Sequence, residues 1–282
     1  QLTGRIEEHP KVTVYLNSTV SAIDGYIGNY HTSIKSGDSG ETEEYEHGII
    51  IITTGGVETV PDSYLYGDPD GRVLTQLELE RILENEKNAC SKIKSVVMIQ
   101  CVGSRDDDHP YCSRVCCTQA VKNAIRLKEL NRKMNVYILY RDIRTYGFNE
   151  QYYQQARAMG VIFIRYEEDK KPLVKYVKDG DNKKISVSVR DHVLGAEIEI
   201  TPDRIILASA MEPQQDASRL SQMLKIPLNE DRFFMEAHVK LRPVDFSAEG
   251  IFLAGLAHSP KNMDETVSQA KAAAERACII IS

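Results

Sequence analysis

The chain has 282 residues, 42% hydrophobic and 27% charged, with 35 Lys and Arg against 41 Asp and Glu for a formal net charge of −6. This composition is globular and the length suffices for two buried cores, which excludes intrinsic disorder, a collagen-like repeat and a disulfide-stapled miniprotein. The mild acidity argues against a general nucleic-acid binder, which carries a basic stripe, and no apolar run approaches the roughly 18 residues of a membrane span.

The chain starts Gln1-Leu2-Thr3 without a methionine, and neither a signal peptide nor a lipidation motif is visible. A fragment or processed product, soluble and without direct membrane insertion, is expected. Residues 12–16 alternate and predict a strand, with a second over 25–34. A polar stretch, 35–46, leads to a fully buried strand over 48–52 that runs into Thr53-Thr54-Gly55-Gly56. Residues 95–100 predict a buried strand ending at Cys101, followed by an acidic loop through Asp106, Asp107 and Asp108. A helix is expected from about 113 to 130, with Ala120, Val121, Ala124, Ile125 and Leu127 at helical spacing. Strand 136–140, helix 149–159, strand 161–165 and a second buried strand over 203–210 follow. A third, 250–255, leads to helix 264–278, with Asn262 and Glu265 spaced as a capping box. The alternation predicts a doubly wound α/β fold with small antiparallel inserts.

Six cysteines occur, Cys90, Cys101, Cys112, Cys116, Cys117 and Cys278, and four of them form Cys-x10-Cys-x3-Cys-Cys. Disulfides are disfavoured, because the chain is too large to need staples and nothing marks export. Adjacent Cys116 and Cys117 do not bridge in ordinary backbone geometry. Cys101 sits at a strand tip. Cys112 and Cys116, four apart, are expected on one helical face, with Cys117 about 100° further round. Four thiolates then converge at a helix N-terminus, where the dipole and free N–H groups favour anionic sulfur. Such a set suits an iron–sulfur cluster or tetrahedral zinc, with inert thiols or a redox dithiol as a third reading. The spacing is not the paired Cys-x2–4-Cys knuckle of structural zinc, and the adjacent pair favours a cubane. Cys90 and Cys278 read as lone thiols, Cys278 as a core residue.

The buried strands ending in glycine follow the pattern of two-dinucleotide-fold flavoproteins. There, a strand ending Thr-Gly closes a meander, a strand ending Ala-Gly reaches the flavin, and the next helix aims its N-terminus at the pyrimidine edge. By that analogy Gly55, Gly255 and the start of helix 264–278 face FAD; tight turns alone are the plainer alternative. A pyridine-nucleotide flavoprotein carries the phosphate fingerprint G-x-G-x-x-G twice, and here it occurs nowhere. The first would lie upstream of Gln1. At the second position the chain reads Cys101-Val102-Gly103-Ser104-Arg105, so cysteines stand where NAD(P) phosphates would bind.

With these residues the chain resembles the A subunit of heterodisulfide reductase and related flavoprotein subunits of quinone-interacting oxidoreductases. The matching stretches are Thr53-Thr54-Gly55-Gly56, Tyr64-Leu65-Tyr66-Gly67, Val73-Leu74-Thr75-Gln76-Leu77-Glu78-Leu79-Glu80, Cys101-Val102-Gly103-Ser104-Arg105, Tyr111-Cys112-Ser113-Arg114-Val115-Cys116-Cys117, Tyr140-Arg141-Asp142-Ile143-Arg144-Thr145-Tyr146-Gly147 and 250–274. The resemblance implies a thioredoxin-reductase-like flavoprotein fold of two dinucleotide-binding domains with its first Rossmann βαβ missing. A discontinuous, N-terminally truncated FAD-binding domain would comprise 1–90 and 240–282, and a second Rossmann-like domain, 91–239, would carry the cysteines. It further implies a [4Fe–4S] cluster on Cys101, Cys112, Cys116 and Cys117, and FAD contacts from Thr54, Gly55, Gly56, Gln76, Gly255, Leu256, Lys261, Thr266 and Val267. Glu80 and Lys122 match a family acid and lysine beside the flavin ring, where an ammonium near N5 would stabilise reduced flavin.

The implied function is a cytoplasmic oxidoreductase subunit that relays electrons between the cluster and FAD, with flavin-based bifurcation left open. Its partners would be other subunits of a heterodisulfide reductase, hydrogenase or quinone-linked complex, with a homodimer as a further assembly and no nucleic acid. Two alternatives stand beside it: a pyridine-nucleotide–disulfide oxidoreductase, disfavoured by the absence of Cys-x-x-Cys, and a zinc-stabilised, non-catalytic interaction domain. The chain departs from the family pattern in having neither ferredoxin-like inserts nor C-terminal ferredoxin motifs, so one cluster is expected. Gly255-Leu256 replaces a Gly-Asp pair of related reductases, and His258 reads as structural. Arg141, Arg144 and Tyr146 read equally as a partner or flavin edge and as a solvated loop.

Overall fold

The computed structural model describes residues 2–85, 92–180 and 182–281; Cys90, read above as a lone thiol, lies outside them. The chain divides into two compact units, Gln1–Gly55 with Pro213–Ser259 and Met263–Ser282, and Gly56–Glu212 with Pro260–Asn262.

The first unit opens with a short helix α1 (Leu2–Glu7) that buries nothing. A three-stranded antiparallel meander follows, β1 (Ser18–Tyr26), β2 (Asn29–Ser36) and β3 (Thr42–His47). Residues 12–16, expected as a strand, are exposed and outside any strand, so their alternation has no core to face. The strand expected over 25–34 is split at Ile27-Gly28, because Gly25 and Gly28 take φ of +97° and +81° and fold it into a hairpin. The polar stretch 35–46 supplies β3, whose charged side chains face solvent.

Strand β4 (Ile50–Ile52) pairs in parallel with β15 (Ile251–Leu253). β15 is buried throughout, whereas Ile51 of β4 is 38% exposed, so the expectation of a fully buried strand fails there. Helices α5 (Ala217–Leu224) and α6 (Met263–Ile281) complete the unit. Its core gathers Ile52, Leu220, Leu224, Phe234, Phe246 and Leu253. On α6 the buried residues are Ala273 and Ala277, four apart on one stripe. Cys278 is therefore turned out by one residue and is exposed, not a core thiol.

The second unit is built on a five-stranded parallel sheet in the order β6 (Val73–Thr75), β13 (Arg204–Ser209), β7 (Ser95–Val102), β8 (Asn135–Tyr140), β9 (Ile162–Arg165). Short strands β5 (Gly56–Glu58) and β14 (Met211–Pro213) flank it in sequence. Helices α2 (Gln76–Asn85), α3 (Val115–Leu130) and α4 (Glu150–Ala158) provide the crossovers on one face. There Val96, Met98, Ile138 and Ile206 pack against Ala120, Val121, Ala124 and Leu127. An antiparallel sheet, β10 (Leu173–Asp179), β11 (Asn182–Asp191) and β12 (Ala196–Ile200), covers the other face. Its Ile185, Val187, Val189 and Ile200 meet Val97, Ile99, Leu139, Ile205 and Leu207. Burial on both faces is why the parallel strands read as unbroken apolar runs.

Buried Lys128 closes the C-terminal turn of α3, donating at 2.9 Å to the carbonyls of Arg132 and Met134. Lys128→Met keeps the buried stem but strands those carbonyls. It is expected to cost about 1–3 kcal/mol, read as a lower urea midpoint at unchanged m. Among the described residues no helix is long and apolar enough to cross a membrane.

Candidate metal centre

The parallel strands of the second unit end where the crossover helices begin, and a parallel sheet presents ligands at that edge. β7 runs through Cys101, whose φ of +60° falls where the register shifts, before Val102 pairs again with Ser209 of β13. Arg105 and Arg114 also adopt left-handed conformations, at +59° and +56°. Non-glycine residues in that region cost on the order of 1–3 kcal/mol each and cluster at functional sites. Because Arg114 breaks the backbone, α3 starts at Val115, not 113. Cys112 is consequently a loop residue and shares no helical face with Cys116, contrary to the spacing argument. Its Sγ instead accepts a bond from the Arg114 N–H at 3.3 Å. Cys116 and Cys117 occupy the first turn of α3, buried against Ala208 of β13.

The four thiols share one electrostatic neighbourhood: Cys101 responds to the charges of Cys117 and Cys112, and Cys116 to those of Cys117, Cys101 and Cys112. Burial, followed by its neighbours' charge, pushes the Cys101 thiol up to about 11. The hydrogen bond between Cys116 and Cys117, together with burial, holds Cys116 well up, and the same bond draws Cys117 down against the opposing effect of burial. Cys117 is therefore the readiest thiolate of the pair. Among the described residues no three His, Cys, Asp or Glu side chains converge tightly enough for a single metal ion. Four thiols are the soft donor type that iron–sulfur clusters take.

Arginines surround this set. Arg105 Nη1 lies 4.0 Å from Cys101 Sγ, and its Nη2 donates to Asp142 Oδ2 at 2.8 Å. Arg144 and Arg165 approach the same carboxylate at 3.8 and 3.9 Å. The Arg105 hydrogen bond holds the Asp142 carboxyl below its ordinary range. Cys117 Sγ donates to the Asp142 carbonyl at 3.7 Å. Sequence reasoning passed over Arg105 and Asp142 as functional residues; the signal available was their place inside two of the matching motifs.

Of the other expected residues in this unit, Glu80 and Lys122 form an ion pair at 2.6 Å, with Lys122 62% exposed. Gln76 is fully buried at the start of α2, its Oε1 accepting from Asn123 Nδ2 at 2.8 Å while its Nε2 has no partner. Gly56 begins β5. Lys261 is buried in the segment whose Pro260 carbonyl accepts from Arg114 Nη1 at 3.2 Å. Tyr146 O–H receives bonds from Arg114 Nη2 at 2.6 Å and Asn262 Nδ2 at 3.2 Å, so it anchors that segment; solvation alone does not describe it.

In the first unit Thr54 is exposed and Gly55 takes φ +78°, where an added Cβ would meet nothing within 4 Å. Gly255 takes φ +75° and donates its N–H to Gln269 Oε1 at 2.9 Å. Gln269 Nε2 meets His258 Nδ1 at 2.8 Å, and His258 Nε2 meets Glu236 at 2.8 Å. Gln269 thus connects His258 to the Gly255 turn. Leu256 follows in a single 3₁₀ turn, Gly255–Ala257. Thr266 and Val267 lie in the first turns of α6; the Thr266 hydroxyl is buried without a partner, while Val267 is exposed.

No family model matches the chain. It is 40% identical over 251 residues to the A subunit of the H2/formate:CoB–CoM heterodisulfide,ferredoxin reductase of Methanococcus maripaludis, covering 83% of this chain and 37% of that protein. It is 39% identical over 248 residues to the iron–sulfur A subunit of the CoB–CoM heterodisulfide reductase of Methanocaldococcus jannaschii, covering 82% and 37%. The chain therefore spans little more than a third of the length of these relatives. Among solved structures, Thermoplasma acidophilum thioredoxin reductase superposes with a TM-score of 0.55 at 18% identity, over 93% of this chain and 72% of that one. The fold is thus that of the thioredoxin-reductase-like α/β flavoproteins. Over the span they share, the chain belongs to the family of heterodisulfide reductase A subunits.

Proposed function

We propose that Cys101, Cys112, Cys116 and Cys117 hold a [4Fe–4S] cluster, and that the chain exchanges electrons between this cluster and FAD as part of a heterodisulfide-reductase-type A subunit. The observation that carries the reading is the meeting of four thiols in one electrostatic neighbourhood at the start of α3, on the ligand-presenting edge of a parallel sheet. Bound there, the cluster would supply one-electron transfer, and FAD would couple single electrons to two-electron chemistry. The partners proposed are other subunits of a heterodisulfide reductase, hydrogenase or quinone-linked redox complex.

For FAD, the residues proposed in the first unit are Thr54, Gly55, Gly255, Leu256, Thr266 and Val267. Open space at the Gly55 Cβ and the orphaned buried hydroxyl of Thr266 support this choice. Unpartnered buried polar atoms are costly and rare unless a ligand or water completes them.

The test is anaerobic purification followed by iron and labile-sulfide analysis and a visible spectrum. About four irons per chain with flavin bands is the expected result. Zinc without iron, persisting after anaerobic reconstitution, would overturn the reading and leave a structural metal site. Lys122→Met supplies a second check. Glu80 is only 19% exposed, so losing its partner should cost on the order of 1 kcal/mol and a few degrees of thermal stability. Removal of an ammonium beside the flavin should make flavin reduction less favourable in a redox titration followed at the flavin bands. An unmoved flavin potential would reduce Glu80 and Lys122 to a surface ion pair.

A further inference from the structure

We infer that Arg105 and Asp142 set the reduction potential at the four-cysteine site by opposed charges, Arg105 raising it and Asp142 lowering it. The inference rests on the proposed cluster. It starts from the position of the Arg105 guanidinium, 4.0 Å from Cys101 Sγ and 2.8 Å from the Asp142 carboxylate. The Arg105 side chain is only 17% exposed, so solvent screens its charge weakly.

The backbone that carries this side chain is also held in place. The Arg105 N–H donates to the His109 carbonyl at 2.7 Å, and the Arg105 carbonyl accepts from Arg141 Nη1 at 2.6 Å. The Asp142 backbone is tied to the cysteine set as well, its carbonyl accepting from the Cys117 thiol at 3.7 Å. The cation of the ion pair thus lies beside Cys101, and its carboxylate is held within the same cluster of residues through Arg105.

Charge and hydrogen bonds around the ligand sulfurs are the levers by which a protein sets a cluster potential. An added electron makes the site more negative. A fixed cation favours that state, and a fixed carboxylate opposes it. Asp142 is 45% exposed and also faces Arg144 and Arg165, so its effect is the weaker of the two.

The two charges form one ion pair, and this gives a test that structural damage cannot imitate. Arg105→Gln and Asp142→Asn break the same bridge, so a purely structural role moves both variants in one direction or neither. The electrostatic role moves them in opposite directions. In the full chain carrying its cluster, followed by potentiometric titration with EPR detection, Arg105→Gln is expected to cut the one-electron reduction constant about tenfold, a shift of about −59 mV. Arg105→Lys should restore most of it, and Asp142→Asn should raise the constant about threefold.

Iron and labile sulfide are measured on every variant. If the unmodified chain holds zinc or no iron, the cluster reading beneath this inference fails. If loaded Arg105→Gln and Asp142→Asn shift together or stay put, the inference itself fails. Should Arg105→Gln not load, Arg105→Lys and Asp142→Asn decide the matter. A small drop in the first with a rise in the second supports the inference, and any other pattern overturns it.

Discussion

Cys116→Ser is expected to empty the metal site while leaving the fold in place. Cys116 is 4% exposed, in the first turn of α3 against Cys117 and Ala208. Serine nearly matches its volume, so the helix packing survives. What disappears is the sulfur: an alkoxide is far harder to form than a thiolate and suits iron poorly, so a four-thiolate cluster loses a corner ligand. Iron should fall from about four per chain to well below one after anaerobic purification. Far-ultraviolet circular dichroism should be unchanged, and thermal stability should drop because bound metal contributes folding free energy. Cys278→Ser is the matched control. Its thiol is exposed on α6, and its removal should leave the iron content untouched. Full iron retention in Cys116→Ser would remove this cysteine from the ligand set.

Much of this arrangement was legible in the sequence, for reasons that can be assigned. The parallel strands of the second unit are buried on both faces, so their apolar runs over 95–100, 136–140 and 203–210 marked them unambiguously. The four cysteines announced a soft-donor site by type and proximity alone. Local geometry was less legible. Nothing in Cys112-Ser113-Arg114-Val115-Cys116 signals that Arg114 adopts φ +56° and removes Cys112 from the helix. Left-handed arginine is imposed by the surrounding loop, not by local preference. Residues 12–16 alternate as a strand does, yet alternation becomes a strand only where a partner edge and a core exist. The charges beside the thiols were hidden for a third reason. Arg105 and Asp142 are 37 residues apart, and only the β7–α3–β8 crossover brings them to 2.8 Å.

Asp68→Ala is expected to destabilise the second unit strongly. Its carboxylate is fully buried and accepts bonds from the Arg72 N–H, Nε and Nη2 at 3.1, 3.0 and 2.8 Å and from the Tyr176 hydroxyl at 2.8 Å. Arg72 Nη1 reaches on to the Lys183 carbonyl at 2.6 Å, so one side chain ties the turn before β6 to the β10–β11 hairpin. Removing one partner of a buried pair costs about 3–5 kcal/mol, because the other charge remains desolvated. The lower end, about 3 kcal/mol, is expected here because Asp70 still meets Arg72 at 2.9 Å. The pH dependence follows from the same contacts. The hydrogen bonds from Arg72 hold the Asp68 carboxyl well below the usual carboxylate range. A depressed folded-state value means the stabilisation is complete above the unfolded value of about 3.9 and fades as pH falls below it. The gap in urea midpoint between the parent chain and Asp68→Asn should therefore narrow from pH 6 to about pH 3. Both proteins should carry Cys116→Ser, so that acid release of metal does not enter the comparison. An equal gap at both pH values would mean that Asp68 stabilises by shape and neutral hydrogen bonding, with no contribution from its charge.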